Sequence, residues 1–273
     1  MTAGRSLNVL VTGGSGPSGI ATARALHRAG HTVFTVGSDR HRIEAAAAEA
    51  GDGVMPLVCD LAHLADVRAL HAAVHAALAP TAGGIDGVIH LVGGWRGAKG
   101  ITDQSDEDWE FLERGAITTL RNVTRVFYYD LAASEAGRFA MVSSTAVGTP
   151  AAGTASYAAA KAAAEAWTLA VADGFRRAQT GNAGQGAAGQ GPVSATGGPG
   201  AGPDAQPEAG PETQHSAAVV FVVKALVDAR MRAKSPERTF PGFTDVEELA
   251  AAAVGLFTTP AAELNGRRLL LAR

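Results

Sequence analysis

The stretch Thr12-Gly13-Gly14-Ser15-Gly16-Pro17-Ser18-Gly19 decides how this chain is read. It follows the apolar, β-branched run Leu7–Thr12 and precedes Ile20–Ala29, whose apolar residues recur at helical spacing and stop at Gly30. Strand, glycine turn and helix in that order form the setting a dinucleotide-binding turn requires. Glycines let the backbone approach a pyrophosphate, whose charge is held by the free amides and the positive end of the following helix. Gly13, Ser15, Gly16 and Gly19 are the candidate contacts. Glycine-rich turns also simply join tightly packed elements, so the neighbouring pattern has to decide between the two readings.

Working outward, His31–Val36 reads as a second strand, Arg40–Ala50 as a helix closed by Gly51, and Val54–Cys59 as a third strand. Ala65–Leu78 is helical, Gly87–Val92 is a strand ending at Gly93-Gly94, and Asp106–Ala133 reads as one long helix. Arg138–Ser143, Val219–Val223 and Arg268–Leu271 follow as strands, separated by the helices Thr154–Ala178 and Asp245–Phe257. Strands alternating with helices imply right-handed crossovers and a parallel sheet covered on both faces, a doubly wound α/β fold.

The segment Ala178–Ala217 is dominated by Gly, Ala, Pro, Gln and Ser, has no Phe, Tyr or Trp, and has Val193 as its only branched aliphatic. It buries too little apolar surface to offset its ordering entropy, so a disordered insertion at 178–217 within one domain spanning 1–273 is expected. The residues after it offer too little for a separate core. Because helices of such a fold run back from the carboxyl edge of the strands, the insertion is expected to emerge on the side away from a ligand.

The 273 residues are 47% hydrophobic and 18% charged, with a formal charge of −3. That balance argues against a nucleic acid or anionic membrane as partner. The longest apolar runs fall short of the roughly 18–20 residues that span a bilayer. A lone cysteine, Cys59, and an amino-terminal stretch without signal-peptide character are consistent with the cytoplasm. No metal is expected.

The second strand ends in Val36-Gly37-Ser38-Asp39-Arg40-His41-Arg42. An acidic residue there would grip the adenosine ribose of NAD, whereas the hydroxyl of Ser38 and the guanidinium groups of Arg40 and Arg42 suit a 2′-phosphate. This favours NADP(H), with NAD(H) remaining possible through Asp39. Arg40 and Arg42 also read as solvated charges in the first turn of the next helix. Asp60, after the third strand, is placed to meet an adenine amino group or to cap the helix that follows.

Ser143-Ser144 closes the fifth strand, and Tyr157 and Lys161 follow on the next helix, one turn apart and on one face. A lysine ammonium beside a phenol favours the phenolate, and a tyrosine tuned in this way becomes a proton donor or acceptor. Each piece alone is common; their order after a glycine turn is not explained by chance. The chain therefore resembles the short-chain dehydrogenase/reductase family over essentially its whole length apart from the insertion. The resemblance rests on Thr12-Gly13-x-x-Gly16-x-x-Gly19, Asp60, Ser144, Tyr157 and Lys161.

That resemblance implies a Rossmann-type sheet and hydride transfer between a nicotinamide cofactor and a ketone or secondary alcohol. Tyr157 would act as general acid/base, Ser144 would orient the carbonyl, and Lys161 would lower the tyrosine pKa and bind the nicotinamide ribose. Gly93 is the one residue that matches the family's Asn-Asn-Ala-Gly, where this chain has His90-Leu91-Val92-Gly93. His90 there reads as a replacement for the asparagine's polar contacts or as a satisfied strand-end histidine. The family's helical relay asparagine falls on Ala116, and Asn122 lies off that register. Lys224-Ala225-Leu226 and Ala229 stand where a Pro-Gly stretch and a threonine are usual.

These departures keep a second reading open, a non-redox cofactor-binding or scaffold protein of the same fold. Asp228–Phe243 is the expected lid, with Trp95 near the pocket. The resemblance also implies a homodimer or homotetramer paired through Asp106–Ala133 and Thr154–Ala178, whose alanine-rich faces permit close packing.

Overall fold

The computed structural model describes residues 5–81, 83–185 and 214–271, with 180–185 described by backbone alone. The strands are β1 (Asn8–Thr12), β2 (Thr32–Gly37), β3 (Met55–Val58), β4 (Gly87–His90), β5 (Arg138–Ser144), β6 (Ala217–Val223), β7 (Leu226–Val227), β8 (Thr244–Asp245) and β9 (Arg268–Leu270). The helices are α1 (Pro17–Arg28), α2 (Arg40–Ala50), α3 (Leu64–Leu78), α4 (Asp106–Glu113), α5 (Thr119–Ala133), α6 (Ala155–Gln185), α7 (Ala229–Lys234), α8 (Val246–Gly255) and α9 (Ala261–Leu264).

Seven strands form one sheet of order β3-β2-β1-β4-β5-β6-β9, and every pairing in it is parallel. The pleat sends alternate residues to opposite faces, so Leu10 packs into one core while Val9 and Val11 pack into the other. β6 repeats this, with Ala218, Val220 and Val222 on one side and Ala217, Val219 and Phe221 on the other. The first core is closed by Val67, Leu70 and Val74 of α3, Val123 and Phe127 of α5, and Phe175 of α6. The second is closed by Ile20 and Leu26 of α1, Ala46 and Ala47 of α2, and Leu249 and Ala253 of α8. With both faces covered, the strands read as continuous apolar runs, as a parallel sheet requires.

The doubly wound α/β fold is as the sequence indicated, with three differences. The expected helix Asp106–Ala133 is three segments, because a π-helical turn at Arg114–Thr118 separates α4 from α5. The expected insertion at 178–217 is narrower at both ends. Ala178–Gln185 continues α6, and Ala217 opens β6, its methyl fully buried. Gln179 fastens the two ends together, accepting from His215 N at 3.0 Å and donating to Ser216 Oγ at 2.8 Å, while Ser216 Oγ donates to Leu131 O at 2.7 Å. The rest of that segment, 186–213, lies outside the described residues. Composition misplaced these boundaries because alanine and glutamine serve helices as readily as loops.

The third difference is a set of short elements that the periodicity did not show, β7 paired with β8, and the helices α7 and α9. Elements of two to six residues are too short to carry a period. Strand order reverses at β1, whose neighbours are β2 on one side and β4 on the other, and a cleft opens at the carboxyl ends of these strands. α6 runs away from that edge, so the chain leaves at Gln185 and re-enters at Gln214 on the opposite side of the molecule.

Candidate active site

The turn between β1 and α1 is shaped by what its glycines exclude. Gly13 has φ +76°, and a methyl group there would stand 2.8 Å from the carbonyl of Leu91. A methyl at Gly19 would lie 2.5 Å from Gly13 O and 2.6 Å from Gly14 Cα, so α1 packs directly on the turn. At Gly16 the nearest protein atom is 3.7 Å away. Nothing in the protein itself forbids a side chain there, and its bareness fits the close approach of an external group.

α1 begins with Pro17, has no acidic residue in its first turn and no side-chain cap, and its first backbone bond runs from Ile20 N to Gly16 O. The Ser18 and Gly19 amides precede that bond, which leaves an uncompensated positive helix end of the kind that holds phosphate. Ser15 lines the cleft, yet its hydroxyl is buried against Gly37 without a hydrogen-bond partner.

From this turn a cavity of about 660 Å³ extends along Gly37, Ser38, Arg42, Asp60, Gly93 and Arg114. Asp39 accepts from Arg42 N at 2.8 Å and so caps α2. Arg42 lines the cavity, whereas Arg40 is exposed and pairs with Glu44 at 3.3 Å one turn on. Asp60 accepts from Ala62 N at 3.0 Å and from Arg114 Nη2 at 2.6 Å. It therefore both closes the turn ahead of α3 and bridges to the π-helical turn. Cys59 beneath it is a buried thiol pushed up to about 11 by burial and by Asp66 and Asp60, and it is no nucleophile at neutral pH.

A second cavity of about 570 Å³ shares Ser18, Leu91, Val92 and Gly93 with the first and continues it to Ser144, Tyr157 and Lys161. β5 delivers Ser144 at its last position, and α6 delivers Tyr157 and Lys161 from its first two turns. Burial raises the Tyr157 phenol above its ordinary value, and a hydrogen bond with Ser144 acts in the opposite direction. Ser144 Oγ also accepts from Ala146 N at 3.2 Å. Lys161 donates to Val142 O at 2.8 Å, and a methyl at Gly93 would lie 3.2 Å from its ammonium.

Burial lowers the Lys161 pKa to about 8, opposed by Glu165. The sequence assigned to Lys161 the lowering of the tyrosine pKa, but here the groups acting on Tyr157 are its own burial and Ser144.

Beneath the three side chains lies a network that the sequence reading passed over. Glu165, one turn beyond Lys161 and 6% exposed, accepts from Ser143 Oγ at 2.5 Å and from Arg268 Nε at 2.7 Å. Its register was visible as Tyr157-x-x-x-Lys161-x-x-x-Glu165, whereas Arg268, on β9, carries no signal in the linear chain.

His90 is held between Thr12 and Thr119 at 2.8 Å and 3.2 Å, and Thr119 Oγ1 donates to Gly115 O at 2.7 Å. The threonine's one hydrogen being committed, His90 Nε2 donates to it and Nδ1 accepts from Thr12. Burial and the nearby Lys161 lower the His90 pKa to about 3, so the ring stays neutral and ties β1, β4 and α5 together. Ala116 sits buried within the π-helical turn, and Asn122, which does not line the cleft, donates to Leu61 O at 3.0 Å.

Lys224, Ala225 and Leu226 line the second cavity; Asp228–Phe243 does not, and folds back through α7 to the β7–β8 pair. Trp95 lines the same cavity while 63% exposed.

The family described as short chain dehydrogenase matches this chain over residues 7–179. "Nodulation protein G" of Rhizobium meliloti (strain 1021) is 32% identical over 155 residues, 56% of this chain and 60% of that protein. The protein of the same name from Rhizobium sp. (strain N33) is 31% identical over 153 residues, with the same coverage. The alignments thus span about 60% of the length of these relatives.

Among solved structures, a gluconate 5-dehydrogenase from Burkholderia cenocepacia J2315 in complex with NADP and tartrate superposes with a TM-score of 0.70 at 19% identity, over 97% of this chain and 93% of that one. An NAD⁺-bound xylitol dehydrogenase gives 0.70 at 18% identity, over 97% of each chain. A short chain oxidoreductase from Pseudomonas aeruginosa PAO1 with an atypical catalytic center gives 0.74 at 18% identity, over 97% and 95%.

Proposed function

The chain belongs to the short-chain dehydrogenase family, and on that premise we propose that it is a nicotinamide-dependent oxidoreductase acting on a ketone or secondary alcohol, with NADP(H) preferred. One observation carries the reading. Ser144, Tyr157 and Lys161 line a cavity continuous with the glycine turn, so a nucleotide lying along the first cavity brings its reactive end to these side chains. When bound, the nicotinamide supplies or accepts the hydride.

The chain's own groups handle the oxygen and the proton. Ser144 Oγ donates to the carbonyl oxygen. The phenol of Tyr157, its pKa raised by burial, gives that oxygen its proton in reduction and is left as the phenolate; in oxidation the phenolate takes the hydroxyl proton. Lys161, with its pKa lowered to about 8, exchanges a proton readily, and its place in the second cavity supports a contact with the nicotinamide ribose.

Support for NADP(H) comes from the end of β2. The carboxylate of Asp39 is committed to capping α2, while Ser38 and Arg42 line the cavity. The Gly16 opening and the uncapped start of α1 support a pyrophosphate between them. The described residues contain no helix long and apolar enough to cross a membrane. Exposed Tyr129 of α5 and Leu169 of α6 support a homo-oligomer formed through those helices.

A second reading, cofactor binding without turnover, draws on the ammonium of Lys161 bonding Val142 O rather than acting on Tyr157. Fluorescence titration with NADPH and with NADH, using Gly13→Val as control, followed by a ketone screen, separates the two. NADPH binding that the control loses, with turnover of a ketone, is the expected result. Binding without turnover of any ketone or alcohol moves the protein to the second reading. Binding of neither nucleotide removes both.

A further inference from the structure

On the amino edge of the sheet, away from the cleft, two histidines one turn apart on α3 converge on an aspartate of α5. His71 Nε2 lies 2.8 Å from Asp130 Oδ2, and His75 Nε2 lies 2.7 Å from Asp130 Oδ1. All three potential ligand atoms fall within 4.8 Å of one another. The two imidazoles are tilted with centroids 4.3 Å apart, and His71 is braced edge-on against the buried ring of Phe127, one turn before Asp130. The Asp130 side chain is 11% exposed and the two histidines 32% and 37%, so the carboxylate is sheltered while the imidazoles remain reachable from solvent. Among the described residues, no lysine or arginine forms an ion pair with Asp130.

We propose that His71, His75 and Asp130 form a binding site for a divalent transition ion of the Zn²⁺ or Co²⁺ kind. Residues at i and i+4 on a helix present their side chains to the same point, and the facing helix supplies the third, anionic ligand. Two imidazoles and one carboxylate are the donor set of a three-ligand zinc site with an open position, and imidazole disfavours Mg²⁺ and Ca²⁺. Bond lengths of about 2.0–2.2 Å in tetrahedral geometry require nitrogen–oxygen separations of about 3.3–3.5 Å, so the carboxylate, whose two oxygens now each meet one histidine, has to draw back and turn one oxygen toward the ion. Each imidazole moves its proton from Nε2 to Nδ1 and offers the freed lone pair. A bound ion would clamp α3 to α5 at the end remote from the catalytic side chains. The inference is independent of the nicotinamide reading.

The test uses the tag-free, full-length protein stripped with a chelator. Calorimetric titration with Zn²⁺ is expected to give one saturable site, and Co²⁺ the visible absorption of a tetrahedral complex. Zn²⁺ should also raise the melting temperature. Asp130→Asn and His75→Ala should each weaken binding about tenfold or more, and His41→Ala, at an exposed position on α2, should leave it unchanged. His75→Gln retains a hydrogen-bond donor toward Asp130 but is a poor ligand, so metal affinity should fall while the metal-free melting temperature stays near that of the wild type. Absence of saturable binding, or equal affinity in Asp130→Asn, His75→Ala and the wild type, overturns the proposal.

Discussion

Along β1 and α1 the cleft is shaped by bare backbone, whereas along β5 and α6 it is shaped by buried side-chain polarity. In the first region Gly13 and Gly19 allow the chain to fold on itself within contacts no methyl tolerates, and the two carboxylates nearby are occupied elsewhere, Asp39 as a cap and Asp60 with Arg114. In the second, Lys161, Glu165, Ser143 and Ser144 are all buried: Ser143 donates to Glu165, Lys161 to Val142 O, and Ser144 Oγ accepts from Ala146 N. Shape can accept a nucleotide with little dependence on protonation. Buried ionisable groups are costly to fold, and their cost is what tunes them for proton transfer.

The contrast breaks most sharply at Tyr157. Tyr157→Phe is expected to lower kcat about 10³-fold while nucleotide affinity stays within a few fold, because only proton transfer is lost. Near-normal kcat in steady-state assays would show that the second region is not the chemical half. Ser144→Ala should cost about 10²-fold in kcat, through the lost donor to the developing charge on oxygen; a change confined to KM would assign it to binding alone.

Lys161 sharpens the comparison through stability. Its folded pKa is about 8 against an ordinary 10.5. Below about pH 8 the folded state bears the full penalty of a buried ammonium, and between about pH 8 and 10.5 the unfolded state binds more protons, so wild-type stability rises with pH. Lys161→Met should therefore stabilise the protein by about 1–2 kcal/mol near pH 7, less than the shift alone implies because the bond to Val142 O is lost. Denaturant unfolding should show that gain vanishing toward about pH 10.5; a pH-independent gain would mean apolar packing is responsible. The smallest effect belongs to the first region. Arg42→Ala should weaken NADPH about tenfold without changing NADH, and Arg40→Ala should change neither. Equal effects at both positions in a binding titration would show general attraction rather than contact.

Much of the first region was legible in the sequence, because a glycine turn between a strand and a helix is a local pattern whose physics is local too. The same holds for Tyr157 and Lys161, four residues apart on one helix. Arg40 and Arg42 looked alike within one first turn, yet only Arg42 lines the cleft, since helical positions two apart point about 200° apart. His71 and His75 share a visible helical spacing, but Asp130 lies on another helix, and without it the pair gives no sign of a site.

The alternation of apolar strands and amphipathic helices determined the doubly wound sheet, because burial on both faces demands that pattern over the whole chain. The glycine spacing determined where the turn leaves its backbone bare beside the cleft, and the order Ser144, Tyr157, Lys161 determined which side chains line one cavity. The tertiary structure alone decided how those groups are tuned. Desolvation sets the Lys161 and His90 pKa values, and long-range partners, Arg268 for Glu165 and Thr12 with Thr119 for His90, hold the buried groups in place; both depend on what surrounds a group in space rather than along the chain.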